Sequence, residues 1–292
     1  LLLGKNGQVG WELQRSLAPL GEVLALDSKS SDYCGDLRDL DGLAATLQRF
    51  APDVIVNSAA YTAVDKAESE PEQAQRVNAE AVAVLAREAR QLGSLLVHYS
   101  TDYVFAGDGE QPWGEADAVA PLNQYGTSKL AGEQAIQASG CEHLILRTSW
   151  VYAARGNNFA KTMLRLARER DSLNVIADQF GAPTGADLLA DITAHALRQA
   201  MAQDITGTFH LAPAGHTSWH GYAQFVFESA RGLKPGVPLK VQTVEAIPTT
   251  AYPTPAQRPL NSRLDTTRLQ ATFGLQLPHW HTGVLRMLHE TL

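Results

Sequence analysis

Leu1-Leu2-Leu3-Gly4-Lys5-Asn6-Gly7-Gln8-Val9-Gly10-Trp11 opens the chain and decides its fold class. The leucines read as a strand, the glycines as a tight turn, and the apolar spacing from Trp11 to Leu20 as a helix. Gly4, Gly7 and Gly10 let a backbone turn sharply, approach a pyrophosphate and pack the helix on a sheet, while helix N-terminal N–H groups face the anion. The spacing is G-x-x-G-x-x-G rather than G-x-G-x-x-G, and a purely structural turn would use the same residues.

The segments that follow extend the pattern. Val23-Leu24-Ala25-Leu26-Asp27 reads as a second strand whose closing carboxylate falls twenty residues after Gly7, where dinucleotide folds hold the ribose. An acid there suits NAD, but Lys5, Ser28 and Lys29 are close enough in sequence to hold a 2′-phosphate, so NADH and NADPH both stay open. Asp36 and Leu37 could line the adenine, or Asp36 could cap a helix. Asp53-Val54-Ile55-Val56-Asn57 is the apolar run of a strand covered on both faces, and it runs into the small-residue loop Ser58 to Asp65, where open α/β sheets bind ligands. Pro71 to Leu92 reads as one long helix, with Asn78 either functional or bonded to a local carbonyl. Ser94 to Ser100 is a further strand that delivers Thr101, Asp102 and Tyr103 to the same edge, where a hydroxyl can donate to a substrate carbonyl.

In Asn123 to Glu133, Tyr125 and Lys129 fall four residues apart on one face of a helix. A phenol titrates near ~10 in water, and a cation within roughly 4–6 Å stabilises the phenolate and lowers that value. The pair suits proton transfer to a carbonyl, although a solvated Lys beside a half-buried Tyr would share the spacing.

The composition removes other classes. A chain of 292 residues suits one large α/β unit with a smaller lobe, and a formal charge of -7 without any Lys/Arg run gives no footprint for nucleic acid. Cys34 and Cys141 are far apart and outside metal-ligand spacing, so they read as inert buried thiols. No apolar run reaches the ~20 residues that span a bilayer, and no signal-peptide pattern precedes the strand. The expectation is a cytoplasmic enzyme without a membrane partner. The start inside a strand without Met points to a few residues preceding Leu1.

Glycine turn, acidic strand end, small-residue loop, hydroxyl-bearing strand end and Tyr/Lys helix in this order resemble the extended short-chain dehydrogenase/reductase superfamily. Arg147 to Tyr152, Gly156 to Phe159, Asp178 to Thr184 and Arg258 to Leu264 are similar to its dTDP-4-dehydrorhamnose reductase family. The resemblance implies a Rossmann-type, doubly wound parallel sheet with a smaller C-terminal substrate-binding lobe. Residues 1–150 would bind the dinucleotide, with a return to the sheet near 205–212, and 151–292 would mainly form the lobe. It makes Tyr125 the proton donor, Lys129 its electrostatic partner and a ribose ligand, and Thr101 the hydroxyl that polarises the ketone, with Asp102 tuning the neighbourhood. Gly4, Gly7, Val9, Gly10, Trp11, Asp27, Asp36, Leu37, Ala60, Tyr61, Thr62, Tyr125 and Lys129 match cofactor positions. Tyr103 and Trp150 match positions beside a sugar. The implied chemistry is reduction of a thymidine-diphospho 4-keto sugar by NADPH or NADH in a homodimer, with Mg at a dimer contact of some relatives and Glu12 as its candidate ligand.

Leu188 to Gln203 and Trp219 to Gly232 read as helices, and Thr208 to Leu211 as a strand with His210 facing outward as a structural residue. The proline-rich stretch Ile247 to Arg263 reads as an ordered binding loop, in which Arg258 and Asn261 could grip a diphosphate or Arg258 could pin the loop. The tail around Trp280 to Leu288 reads as a packing helix. Two readings compete with the reductase. One is an epimerase or dehydratase with tightly bound NAD, against which Tyr103 stands where a dehydratase has an acid; the other is a non-catalytic regulatory subunit, which predicts eroded Thr, Tyr or Lys positions.

Overall fold

Leu2 and Leu3 form a two-residue strand, β1 (Leu2–Leu3), one in from the edge of a six-stranded parallel sheet. The computed structural model describes residues 1–292. The other strands are β2 (Ala25–Leu26), β3 (Val54–Asn57), β4 (Leu95–Thr101), β5 (His143–Thr148) and the edge strand Gly207–His210. Their spatial order is β2, β1, β3, β4, β5, then Gly207–His210. Side chains alternate across such a sheet, so Leu2, Val56, Val97 and Leu144 enter one apolar core while Leu3, Ile55, Leu96 and Ile145 enter another. Helix α1 (Gln8–Leu17) and the helix Ala186–Gln203 cover the first face; α2 (Leu40–Phe50) and the helical stretch 71–92 cover the second. Burial on both faces explains the continuous apolar runs.

The stretch 71–92 is helical throughout, yet it is not one regular α-helix. An α-helix over Pro71–Gln75 passes through a π-turn at Arg76–Glu80 into an α-helix over Ala81–Leu92. The π-turn places Asn78 inward against the next helix, Gln124–Ser139, whose Gly132 leaves no room for a side chain: a Cβ there would lie 2.2 Å from the Asn78 carbonyl oxygen.

The smaller lobe has its own core, in which Tyr152, Leu164, Leu173, Val226, Trp280 and Met287 meet. It contains the helices Phe159–Glu169, Trp219–Leu233 and Trp280–Thr291, and the parallel strands Ser172–Ile176 and Thr243–Ile247. Its boundary is interleaved, because Leu189 to Ala200, Phe209, Leu211, Leu269 and Phe273 pack in the sheet's core. The chain returns to the sheet itself at Gly207–His210, within the expected 205–212, while the helices Ala186–Gln203 and Thr267–Phe273 pack against it.

His210 does not face outward. It is fully buried, edge-on to Phe105 at 5.6 Å, and burial pushes its imidazole down to about 4. Its strand lies at a sheet edge, but Glu115 accepts the His210 backbone N–H at 2.9 Å, so a loop covers that edge. Cys141 is buried as expected, whereas Cys34 is only half-buried; burial raises both thiols. No helix is long and apolar enough to cross a membrane.

Candidate active site

The chain runs outward from β1 to β2, then crosses back to β3 and continues through β4 and β5, so strand order reverses between β1 and β3. Loops leaving the carboxyl ends of neighbouring strands part at such a point and leave a crevice. A cleft of ≈ 810 Å³ lies there, lined by the glycine turn, the strand ends after β2, β3, β4 and β5, and Tyr125 and Lys129.

Gly4 has φ +87°, and a Cβ on it would lie 2.8 Å from the Ala59 nitrogen. The Gly4 carbonyl accepts the Gly7 N–H at 2.9 Å, which closes the turn and points the start of α1 into the cleft. No side chain caps α1, so its first N–H groups are free for an anion. Gly7 and Val9 line the cleft; Gly10 lies behind it, pressed against Gly4 and Ser58. Trp11 stays out of the cleft, exposed under the Arg155 guanidinium at 4.0 Å.

Asp27 sits in the cleft, held below the usual carboxylate range first by the Lys29 backbone N–H at 2.9 Å and then by the Ser30 hydroxyl. Asn6 donates to its other oxygen, and Lys5 and Lys29 add positive charge beside it. Asp36 is not a helix cap, since Asp39 caps α2 through the Gly42 N–H. Its carboxylate is instead gripped by Arg38 at 2.7 and 3.0 Å, which lowers it further, and Asp36, Leu37 and Arg38 all line the cleft. Ala60, Tyr61 and Thr62 line the opposite wall. Asn78 holds that wall: it accepts the Tyr61 N–H at 2.8 Å, donates to the Tyr61 carbonyl at 3.0 Å and donates to Ser128 at 3.0 Å. Its role is long-range bracing rather than a local bond.

Asn123 caps the helix Gln124–Ser139 by accepting the Gly126 N–H, which presents Tyr125 and Lys129 to the cleft. The Thr101 hydroxyl donates to Asp102 at 3.0 Å. Burial raises the Asp102 carboxyl to about 7. The Tyr125 phenol is pushed up to about 12, by burial first and the Asp102 charge second. On balance the phenol is therefore raised rather than lowered as the Tyr125–Lys129 spacing suggested: burial and Asp102 outweigh the support of the Lys129 ammonium, which is itself brought down to about 8 by burial and bonds His98 and the Tyr99 carbonyl. Behind the helix, Glu133 and Arg147 form a buried ion pair at 2.6 Å.

Trp150 follows β5 with φ +49°, a left-handed backbone rare for so bulky a residue, and stacks on Trp219 at 3.5 Å between ring centres. A Cβ on Gly181 would lie 2.7 Å from the Trp150 ring, so the glycine makes space for it. Trp219, Gly181 and Gln179, which accepts from the Trp219 indole at 3.1 Å, were not singled out from the sequence. The Asp178 to Thr184 motif was the local signal for Gln179 and Gly181, whereas Trp219 had none. Tyr103 and Trp219 also line a second chamber of ≈ 850 Å³ with Arg258 and Asp65. Arg258, which lines that chamber, pins its loop to Asp65 at 2.8 Å and keeps Nη1 buried without a partner. Asn261 reaches neither cavity; its amide donates to the Asp108 and Gln111 carbonyls and staples the loop. Glu12 pairs with Arg15 at 3.5 Å, and within one chain no group of three or more His, Cys, Asp or Glu side chains is gathered around it.

A family model described as the RmlD substrate binding domain matches residues 1–292. The chain belongs to this family. It is 60% identical over 291 residues to the dTDP-4-dehydrorhamnose reductase of Escherichia coli (strain K12), covering 99% of this chain and 97% of that protein. The crystal structure of dTDP-4-dehydrorhamnose reductase from Bacillus anthracis str. Ames in complex with NADP superposes with a TM-score of 0.88 at 35% identity, over 99% of this chain and 98% of that one. The Thermus thermophilus UDP-glucose 4-epimerase complex with NAD reaches 0.78 at 20% identity, over 100% of this chain and 99% of that one, and shares the fold.

Proposed function

We infer that this protein catalyses NAD(P)H-dependent reduction of the C4 ketone of dTDP-4-dehydro-L-rhamnose to give dTDP-L-rhamnose, a step in nucleotide-sugar and cell-surface polysaccharide biosynthesis. The observation that carries this reading is the position of Tyr125 in a dinucleotide-sized cleft that shares Tyr103 and Trp219 with a second chamber. The glycine turn and the free N–H groups of α1 fit a pyrophosphate, and Asp27 flanked by Lys5 and Lys29 fits a ribose with or without a 2′-phosphate. When bound, the reduced nicotinamide supplies the hydride.

The chain's own residues handle the proton. A phenol near 12 keeps its hydrogen until an alkoxide, a stronger base, develops beside it, so Tyr125 is poised as a general acid. Thr101 has one hydroxyl hydrogen and directs it at Asp102. In its acid form, accessible at a value of about 7, Asp102 can donate to Thr101 instead and free that hydrogen for the ketone oxygen. Trp150 and Trp219 offer a flat platform for the sugar, and the unpartnered Nη1 of Arg258 suits a diphosphate oxygen. Thr101, Tyr125 and Lys129 all stand at the cleft, which leaves the regulatory-subunit reading without its expected erosion. A homodimeric, cytoplasmic enzyme belongs to the same proposal, on the strength of family resemblance.

The test is oxidation of NADPH and of NADH with a panel of nucleotide-linked 4-keto deoxysugars. Rapid, stoichiometric oxidation with dTDP-4-dehydro-L-rhamnose supports the reading. Turnover of nucleotide sugars without net coenzyme oxidation overturns it in favour of an epimerase or dehydratase.

A further inference from the structure

Lys129 is almost wholly buried, and its Nζ meets two groups: the Tyr99 carbonyl oxygen at 2.6 Å and His98 Nε2 at 3.1 Å. On the other side of the imidazole, His98 Nδ1 lies 3.1 Å from Asn57 Nδ2, and Asn57 Oδ1 accepts the Ala59 backbone N–H at 3.1 Å. The row exists because parallel pairing of β3 and β4 sets Asn57 beside His98. Both side chains are buried, so each polar atom depends on its neighbour in the row.

The direction of every bond follows from one end. A backbone N–H can only donate, so the Asn57 oxygen must face Ala59 and the Asn57 NH₂, also a donor, must face His98. His98 Nδ1 is then the nitrogen with the lone pair. A neutral imidazole carries one hydrogen, which is left on Nε2, pointing at Lys129. An ammonium has only donors, whereas an amine has a lone pair that can accept Nε2–H while one of its own hydrogens goes to the Tyr99 carbonyl. If Lys129 is instead an ammonium donating to Nε2, two donors meet at Asn57, and rotating its amide only moves the conflict to Ala59.

We propose that Ala59, Asn57 and His98 form a tautomer lock that presents an N–H to Lys129, favours its amine form, and thereby sets the pH above which Tyr125 loses the support of a neighbouring positive charge. Asn57 and His98 are positioning residues that act through Lys129. Burial pushes the Lys129 ammonium down and keeps His98 neutral, in the direction the lock requires. The other charged groups around Lys129 are Glu133, one turn along its helix and gripped by Arg147 of β5, and Asp102 at the end of β4, whose charge acts on Tyr125. The catalytic consequence rests on the reading of Tyr125 as proton donor, while the lock itself does not.

Two measurements test it on the full chain. Nitrogen-15 NMR of labelled histidines on the alkaline side of the Lys129 titration, at about pH 9, should show His98 with its hydrogen on Nε2 and a bare Nδ1; a hydrogen on Nδ1 there overturns the lock. In Asn57→Asp the carboxylate can only accept, so Nδ1 becomes protonated, Nε2 turns into an acceptor and the Lys129 ammonium is favoured. The alkaline limb of the pH profile of kcat/KM should then move up by about one pH unit. A folded Asn57→Asp protein with an unmoved limb overturns the coupling to Lys129, and if that variant does not fold, the wild-type NMR result alone decides the lock. An intact Nε2–H tautomer in a protein that reduces no 4-keto sugar overturns the assigned function and spares the lock.

Discussion

Replacing Gly10 by Ala adds one methyl group where the structure has no room for it. The new Cβ would lie 2.1 Å from the Gly4 carbonyl oxygen, 2.7 Å from the Gly4 carbonyl carbon and 2.8 Å from the Ser58 hydroxyl. The hydroxyl can rotate away, but the carbonyl belongs to backbone that is already committed. It accepts the Gly7 N–H at 2.9 Å, while the Gly4 N–H is bonded to the Leu26 carbonyl at 2.9 Å. Relief requires the turn to retreat from α1 by more than an ångström. Overpacking of this kind destabilises by about 1–3 kcal/mol, which lowers the melting temperature by several degrees. The same retreat carries the turn away from a bound pyrophosphate. Losing one charge-assisted hydrogen bond of about 1.5–3 kcal/mol weakens coenzyme binding roughly 10–100-fold. Thermal melting and NADPH titration read both effects, and binding of dTDP-L-rhamnose to the same variant is the internal control. Gly10 does not line the cleft, so unchanged melting together with unchanged NADPH affinity would refute the argument that the turn is held by this contact.

Two further outcomes follow from groups at the site. Burial raises the Asp102 carboxyl to about 7, so the folded chain holds a proton that the unfolded chain releases at about 4, and stability falls as pH climbs through that interval. Asp102→Asn should flatten this part of the melting-temperature profile, and an unaltered slope would contradict the assignment. Arg258→Ala removes both the tie to Asp65 and the free Nη1, so KM for the nucleotide sugar should rise about 10–100-fold with little change in KM for the coenzyme. A rise confined to the coenzyme would place the loop in the wrong cavity.

Much of the architecture was legible because it rests on short-range patterns. Leu1 to Gly10, Val54 to Asn57 and Leu95 to Thr101 carry strand and turn signals within a few residues of each other, and the ends of those strands are where the cleft lies. What the sequence left open depends on register and on contacts between distant segments. Periodicity over Pro71 to Leu92 is helical whether or not one turn is a π-turn, yet that turn is what aims Asn78 at Tyr61 and Ser128. Tyr125 and Lys129 share a helix face, but spacing alone did not reveal that His98 and Tyr99 would engage the amine. His210 alternated correctly along its strand and still misled, because a loop from residue 115 covers the edge. Asp36 and Asp39 both fit a cap by type, and only the Gly42 N–H distinguishes them. Asn261 and Trp219 show the two directions of error: a polar residue in a promising loop was needed to staple it, while a tryptophan without any local motif became the partner of Trp150.

The most direct measurement is single-turnover oxidation of bound NADPH by dTDP-4-dehydro-L-rhamnose in Tyr125→Phe, followed by nicotinamide absorbance, with NADPH affinity determined on the same sample. Loss of the positioned acid should slow the step by about 10²–10⁴-fold while the affinity stays close to that of the unaltered protein. Oxidation at the unaltered rate would show that the proton reaches the sugar from some other group.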